Sequence, residues 1–321
     1  MSGLDDLHVL PKVRDSWSYL YVEHCRIDRE DRAIAVHDER GKVPVPCATL
    51  ALLMLGPGTR ITHAAVQTCA ESGCLIAWVG EEGVRFYAQG LGETRSAENL
   101  MIQARLWADP VMHQAVVIRM YRQRFPDPID DTLTLQQIRG KEGIRVRETY
   151  ARAARETGVT WKGRSYRREQ WDAADSLNKA LSCANSCLYG LCHAAIVSAG
   201  YSPALGFIHV GKMLSFVYDV ADLYKTDVTI PVAFREAAAG AAQLERRVRM
   251  ACRDAFREAR LLGRIIPDIA AVLGITDQDV EAARRRVDED PGLPGPLWDP
   301  HGDVEGGQNQ ADHGGGPAPG T

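Results

Sequence analysis

With 321 residues, 45% of them apolar and 25% charged, the chain exceeds what one core usually organises and predicts two domains of an ordinary globular protein. Nothing in it approaches the roughly 18 uninterrupted apolar residues of a membrane span, and residues 1–17 lack a basic-then-apolar leader, so a cytoplasmic protein with no membrane partner is expected. The formal charge of −4 argues against a nucleic-acid partner only until it is mapped: residues 288–321 hold seven acids and no Lys or Arg, which leaves 38 basic against 35 acidic residues elsewhere.

Along the chain, strand signals come first. Trp17, Tyr19 and Tyr21 alternate, and Ala33–Asp38, Thr49–Leu55, Cys74–Val79 and Val84–Ala88 are short apolar or β-branched runs separated by turn formers. One helix interrupts them, with Thr62 as N-cap. The pairs Gly56/Gly58 and Gly90/Gly92 do not form a dinucleotide fingerprint, since neither leads from a strand into a helix start. Residues 1–90 therefore read as a small β-rich domain. Residues 89–95 read as a linker.

From there the period is helical. Ser96 is placed to cap a helix through Asp109, and Asp109-Pro110 starts another with Pro at its favoured first position. Thr134 and Gln137 fit a capping box, in a helix that Gly140 and Gly143 are expected to interrupt. A long helix is predicted over 176–199, apolar at 177, 181, 184, 188, 191 and 195. Further helices are predicted at 215–227, 231–238, 243–272 and 277–287, so 91–287 form a larger helical domain. Beyond Asp288 the composition turns to Gly, Pro and acids, predicting a disordered tail over 288–321. The fold class is α+β.

The eight cysteines include no CxxC pair and read as small buried hydrophobes. Cys183, Cys187 and Cys192 beside His193 could be argued into a zinc site, but Cys183 and Cys187 fall one turn apart in a helix, which favours a small-residue seam.

Two features carry chemistry. Residues 139–168 hold ten basic groups against three acidic ones, a density suited to phosphate or to a solvated helix face. Inside it sits Glu142 between Gly140 and Gly143, as an ion-pair partner or as a ligand awaiting a cation. Further on, Asp219 and Asp222 share one side of a helix capped by Ser215, with Asp219 against the apolar stripe of Phe216, Val220 and Leu223. Two neighbouring carboxylates repel, and a divalent cation would relieve them. His209, on a loop between Gly206 and Gly211, is free to approach the same point. The bland alternative is a surface Asp, a first-turn Asp and a satisfied histidine.

These pieces occur in an order that resembles a known family. Arg139-Gly-x-Glu142-Gly-x-Arg145-x-Arg147-x-Thr149-Tyr150, Gly206-Phe-x-His209-x-Gly211 and Phe216-Val-Tyr-Asp219-x-Ala-Asp222 resemble the CRISPR-associated adaptation integrases, most closely the branch serving type I-E systems. Pro57-Gly-Thr-Arg60, Trp78-Val-Gly-Glu-x-Gly-Val-Arg85, Val159-Thr-Trp161, Ser186-Cys-Leu-Tyr-Gly190 and Arg249-x-Ala-Cys-Arg-Asp254 extend the likeness over about residues 10–272.

The resemblance implies an N-terminal β-sandwich-like domain, for dimerisation and DNA contacts, ahead of a helical catalytic domain. It implies Glu142, His209 and Asp219 as ligands of Mg²⁺ or Mn²⁺, with Asp222 as an essential acid beside them. Arg60, Arg85, Arg139, Tyr166, Trp171, Tyr189, Lys212, Tyr218, Lys225 and Arg249 fall at DNA-contacting positions. His24 stands where the branch places a tyrosine that stacks at the fork of a splayed DNA end. The activity implied is strand transfer, in which 3′-hydroxyl ends of short duplexes with splayed 3′ ends join CRISPR repeat DNA. The implied assembly is a homodimer, as a dimer of dimers around a small ferredoxin-fold subunit. A branched-DNA repair nuclease and a non-catalytic DNA scaffold are the two other readings.

Overall fold

The computed structural model describes residues 18–31, 33–47, 50–72, 74–80, 86–90, 97–163, 175–276, 297, 299–301 and 304. Among the described residues, eight strands form two four-stranded sheets. In the first, β1 (Ser18–Val22), β5 (Leu50–Leu55) and β7 (Leu75–Val79) run parallel and β8 (Phe86–Gln89) is antiparallel at the edge. In the second, the order is β4 (Gly41–Val45), β3 (Ala33–Asp38), β2 (Arg26–Glu30) and β6 (Arg60–Ile61).

Alternation along β5 shows how the sheets are covered. Leu53 and Leu55 join Ile27 and Ile34 of the second sheet, and Ala65 and Cys69 of helix α1 (His63–Glu71), in one core. Leu52 and Met54 point the other way, into a layer with Leu75, Ala77 and Ala194. A strand buried on both faces reads as a continuous apolar run, as β5 does. β2 and β4 carry weak strand signals: β2 buries Ile27 alone amid charged neighbours, and β4 is short and contains Pro44.

Helices fill the rest: α2 (Glu98–Ala108), α3 (Pro110–Gln123), α4 (Leu135–Thr157), α5 (Ser176–Ser198), α6 (Ser215–Ala221), a π-helical turn at Lys225–Thr229, α7 (Ile230–Ala238), α8 (Leu244–Glu258) and α9 (Leu261–Leu273). Three caps match expectation. Thr62 accepts from the Ala65 amide, Asp109 from those of Val111 and Met112, and Thr134 and Gln137 close a reciprocal box. α5 is the axis of the helical core, burying Leu181, Leu188 and Cys192 completely. By length and composition it could cross a membrane, yet 67% of its most apolar stretch is buried inside the fold. Cys183 and Cys187 lie in that buried seam, the Cys183 thiol donating to the Glu245 carbonyl of α8 at 3.6 Å.

Four expectations need correction. α4 runs unbroken through Gly140 and Gly143; each costs about 1 kcal/mol relative to Ala, which burial of Ile138, Glu142, Thr149 and Ala153 outweighs. α2 starts after Ala97, which provides no side-chain cap; Ser96 lies outside the described residues. The helix predicted over 215–227 ends at Asp222, where the Leu223 and Tyr224 amides donate to carbonyls three residues back, and the chain resumes as a π-helical turn before Pro231. The one predicted over 243–272 breaks at Arg260, whose φ is +49°. The helix expected over 277–287 lies outside the described residues. So does most of the 288–321 tail, of which Leu297 and Val304 form one antiparallel bridge.

Candidate active site

The residues singled out in sequence converge where α3, α4, α6 and the loop before α6 meet. The loop is built first. Gly206 permits it: a Cβ there would lie 2.3 Å from the His209 carbonyl oxygen and 2.6 Å from the Ser215 side chain. Buried Gln103 of α2 donates to the carbonyls of Ser202 and Leu205 and accepts from the Ser202 amide. The Trp107 indole donates to the Gly206 carbonyl, and His113 reaches the Trp107 and Phe207 carbonyls at 3.0 and 2.9 Å. No sequence motif pointed to Gln103, Trp107 or His113, since each has a backbone partner about a hundred residues away.

Asp219 completes the clasp from α6. It is fully buried, and its Oδ2 accepts from the amides of Phe207 (2.6 Å) and Ile208 (3.0 Å). Its Oδ1 accepts from the His209 amide (2.9 Å) and contacts His209 Nδ1 at 2.7 Å. Four donors occupy the four acceptor positions of one carboxylate. Burial is thus compensated without a cation, and the loop is fixed. The same contact sets the histidine tautomer: with Nδ1–H directed at Asp219, the lone pair of a neutral ring lies on Nε2. That nitrogen stands 4.0 Å from Asp222 Oδ2.

Asp222, the C-cap of α6, is more open than Asp219, with 19% of its side chain exposed. Lys225 contacts its Oδ1 at 2.6 Å. Burial pulls the Lys225 ammonium down, but Asp222 and Tyr189 outweigh it and hold its pKa above the ordinary value. Ser215 is not the helix cap expected; Leu214 is, and the Ser215 hydroxyl accepts from the Lys212 amide instead.

Glu142, on α4, is also buried, and Arg145 grips it through two bonds of 2.7 and 3.0 Å. Arg145 in turn donates to Thr226. Between Glu142 and Asp222 lies Arg124, 3.5 Å from each. Arg124 was not anticipated: it follows the end of α3, and nothing in its neighbours signals that it enters an acid cluster.

The donor types, one imidazole and oxygen-bearing carboxylates, suit Mg²⁺ or Mn²⁺. Nε2 and Asp222 Oδ2 are two facing acceptors, and 4.0 Å is within the span of one ion with bonds of about 2.1 Å on each side. Glu142 does not yet join them. Among the described residues no three His, Cys, Asp or Glu stand close enough to hold a metal, and Glu142 is engaged by Arg145 and Arg124. The oxygens of Asp219 are engaged by three amides and His209 Nδ1, while Asp222 faces the free nitrogen.

Of the expected DNA contacts, Tyr189, Tyr218 and Lys225 line the site. The two tyrosine rings meet edge-on at 5.0 Å, Lys225 lies over Tyr189 at 4.8 Å, and Tyr218 meets His209 at 5.9 Å. Lys212 and Arg139 are exposed, Arg139 lying over the Tyr121 ring at 5.9 Å, and Arg249 is half-buried on α8. His24 and Arg60 sit on the strand-rich part, exposed; His24 holds φ +49° and its amide donates to the Pro57 carbonyl. Arg85, Tyr166 and Trp171 lie outside the described residues.

Residues 121–245, which contain the whole acid cluster, match the family model for CRISPR associated protein Cas1. A Thermus thermophilus protein named CRISPR-associated endonuclease Cas1 2 is 56% identical over 310 residues, 96% of this chain and 94% of its own length. The Escherichia coli CRISPR-associated endonuclease Cas1 is 44% identical over 262 residues, 81% of this chain and 86% of its own. Among solved structures, that of a TtCas1–DNA complex is similar with a TM-score of 0.73 at 58% identity, covering 83% of this chain and 100% of that one. A casposase bound to an integration product shares the fold at 12% identity, with a TM-score of 0.55 and coverage of 86% and 96%.

Proposed function

This chain belongs to the Cas1 family of CRISPR-associated proteins, and from that premise we propose that it is a DNA endonuclease and integrase of CRISPR adaptation. The observation that carries the proposal is the pair of facing acceptors, His209 Nε2, on a loop that Asp219 locks, and Asp222 Oδ2, at the end of α6. Binding DNA alone requires no such cluster. Relatives named as endonucleases and a related protein solved with DNA support the substrate class.

The reaction proposed is transesterification. A 3′-hydroxyl oxygen of a captured duplex forms a new P–O bond in CRISPR repeat DNA while the P–O bond to the target strand's own 3′ oxygen breaks. One proton leaves the attacking hydroxyl, one joins the leaving oxygen, and the number of phosphodiester bonds is unchanged. With water in place of the hydroxyl, the site is a nuclease. Glu142, His209 and Asp222 would hold Mg²⁺ or Mn²⁺, which would neutralise charge at the scissile phosphate. Asp219 orients the His209 ring as a buried carboxylate behind a ligand does. Lys225 and Arg145 balance the acids, and Tyr189 and Tyr218 offer ring faces to bases. We propose further that the protein acts as a homodimer, two dimers bridged by a small ferredoxin-fold subunit, and that it takes duplexes with splayed 3′ ends.

The test is nicking of supercoiled or branched DNA with Mg²⁺, Mn²⁺ or EDTA. Metal-dependent strand breakage is expected, and intact DNA in every lane would count against the reading. Affinity should come mainly from phosphates, so replacing exposed Arg139, Lys141 and Arg147 by Gln should flatten the slope of log affinity against log salt by about 2 to 3. An unchanged slope would move the DNA off this face.

Gly140 and Gly143 give a separate expectation. A Cβ on either meets nothing within 4 Å, so converting both to Ala should stabilise α4 by about 1 kcal/mol each. The bare backbone beside Glu142 also lets a strand approach closely. The double variant should therefore melt higher and bind DNA more weakly. A gain in stability with unchanged binding would assign the glycines no part in the interface.

A further inference from the structure

Arg124 is 9% exposed, and its guanidinium stacks 5.0 Å over the Tyr121 ring. Its Nη1 lies 3.5 Å from Glu142 Oε1 and its Nη2 3.5 Å from Asp222 Oδ2. Those distances give Coulomb attraction, but they are too long for good hydrogen bonds. Arg145, by contrast, holds the same Glu142 at 2.7 and 3.0 Å. Arg124 Nε and Nη2 are buried and have no hydrogen-bond partner among the described residues. An idle charged donor inside a protein costs free energy that closer approach to either acid would recover. Neither acid closes in, because Arg145 holds Glu142 and Lys225 holds Asp222 on their other sides.

A buried fork with two idle donors in the middle of an acid cluster fits an incoming anion. A planar guanidinium matches the paired oxygens of a phosphate, which a lysine cannot do. It also stands where repulsion from Glu142 and Asp222 would otherwise keep a phosphodiester out. We propose that Arg124 is a positioning residue for the reaction, its Nε–H and Nη2–H groups donating to the non-bridging oxygens of one phosphodiester of the DNA strand at the acid cluster. This rests on the DNA-processing reading given above.

The test is equilibrium binding, in EDTA, of a duplex with 3′ single-stranded ends to the wild type, Arg124→Gln and Arg124→Lys. Each strand in a series carries one uncharged methylphosphonate at a different position. For the wild type, one position should weaken binding by about tenfold or more, as close charge pairs at interfaces do. The same substitution should cost Arg124→Gln nothing. Arg124→Lys, which keeps the charge but not the fork, should show an intermediate penalty at that position and guards against misfolding of the Gln variant. Equal penalties in all three proteins at every position would overturn the Arg124 assignment while leaving the DNA enzyme intact. A wild type that binds no DNA would overturn both.

Discussion

Asn at position 219 should lower the melting temperature by on the order of 10 °C, whereas Asn at 222 should leave it within a few degrees. The difference follows from what each carboxylate does. Asp219 is completely buried and compensates three backbone amides and one imidazole. An amide side chain retains one acceptor oxygen and aims a donor at donors, so breaking this arrangement costs about 3–5 kcal/mol, as for a buried ionic network losing one partner. At about 2–4 °C per kcal/mol for a domain of this size, that is a large shift. Asp222 has 19% of its side chain exposed and, among the described residues, forms ion pairs with Lys225, Arg124 and, distantly, His209. Its neutralisation should cost about 1 kcal/mol. Both variants should lose strand cutting, but only Asp222→Asn should do so as a stable, DNA-binding protein. Thermal melts beside binding and cutting assays check this. An Asp222 variant that melts lower than the Asp219 variant would reverse the two roles.

Alanine at 209 should reduce strand cutting by at least about 100-fold, the loss typical of removing one preorganised group at a reacting centre. It removes the Nε2 lone pair that faces Asp222. The fold should survive, because the ring is 44% exposed and Asp219 keeps its three amide donors. A stability loss of about 1 kcal/mol is expected for the single side-chain bond. Initial rates compared with melting curves separate the effects, and near-normal cutting by a folded His209→Ala protein would remove the histidine from the chemistry.

How much of this was legible in the sequence depended on where each signal lived. Caps at Thr62, Asp109 and Thr134, and the apolar stripe of α5, are local, and local patterns survive folding. Strand β2 was hidden because Ile27 alone of its five residues is buried. Gly140 and Gly143 look like breakers in isolation, and packing of α4 overrides them. The spacing of Asp219 and Asp222 showed that they share a side of the chain. It could not show which one meets the amides of residues 207–209, since that depends on a loop fold fixed by Gln103, Trp107 and Asp219 itself. Arg124 was the least legible, because its meaning comes from acids on two other elements.

Strand joining separates an integrase from a nuclease. A labelled duplex with 3′-hydroxyl ends is mixed with the full chain, the ferredoxin-fold subunit and a supercoiled plasmid carrying the repeat, with Mg²⁺, Mn²⁺ or EDTA and with His209→Ala in parallel. Label covalently attached to relaxed plasmid is expected, only with metal and only for the wild type. Nicked plasmid without label would reduce the protein to a nuclease, and labelled plasmid from His209→Ala or in EDTA would contradict the site described here.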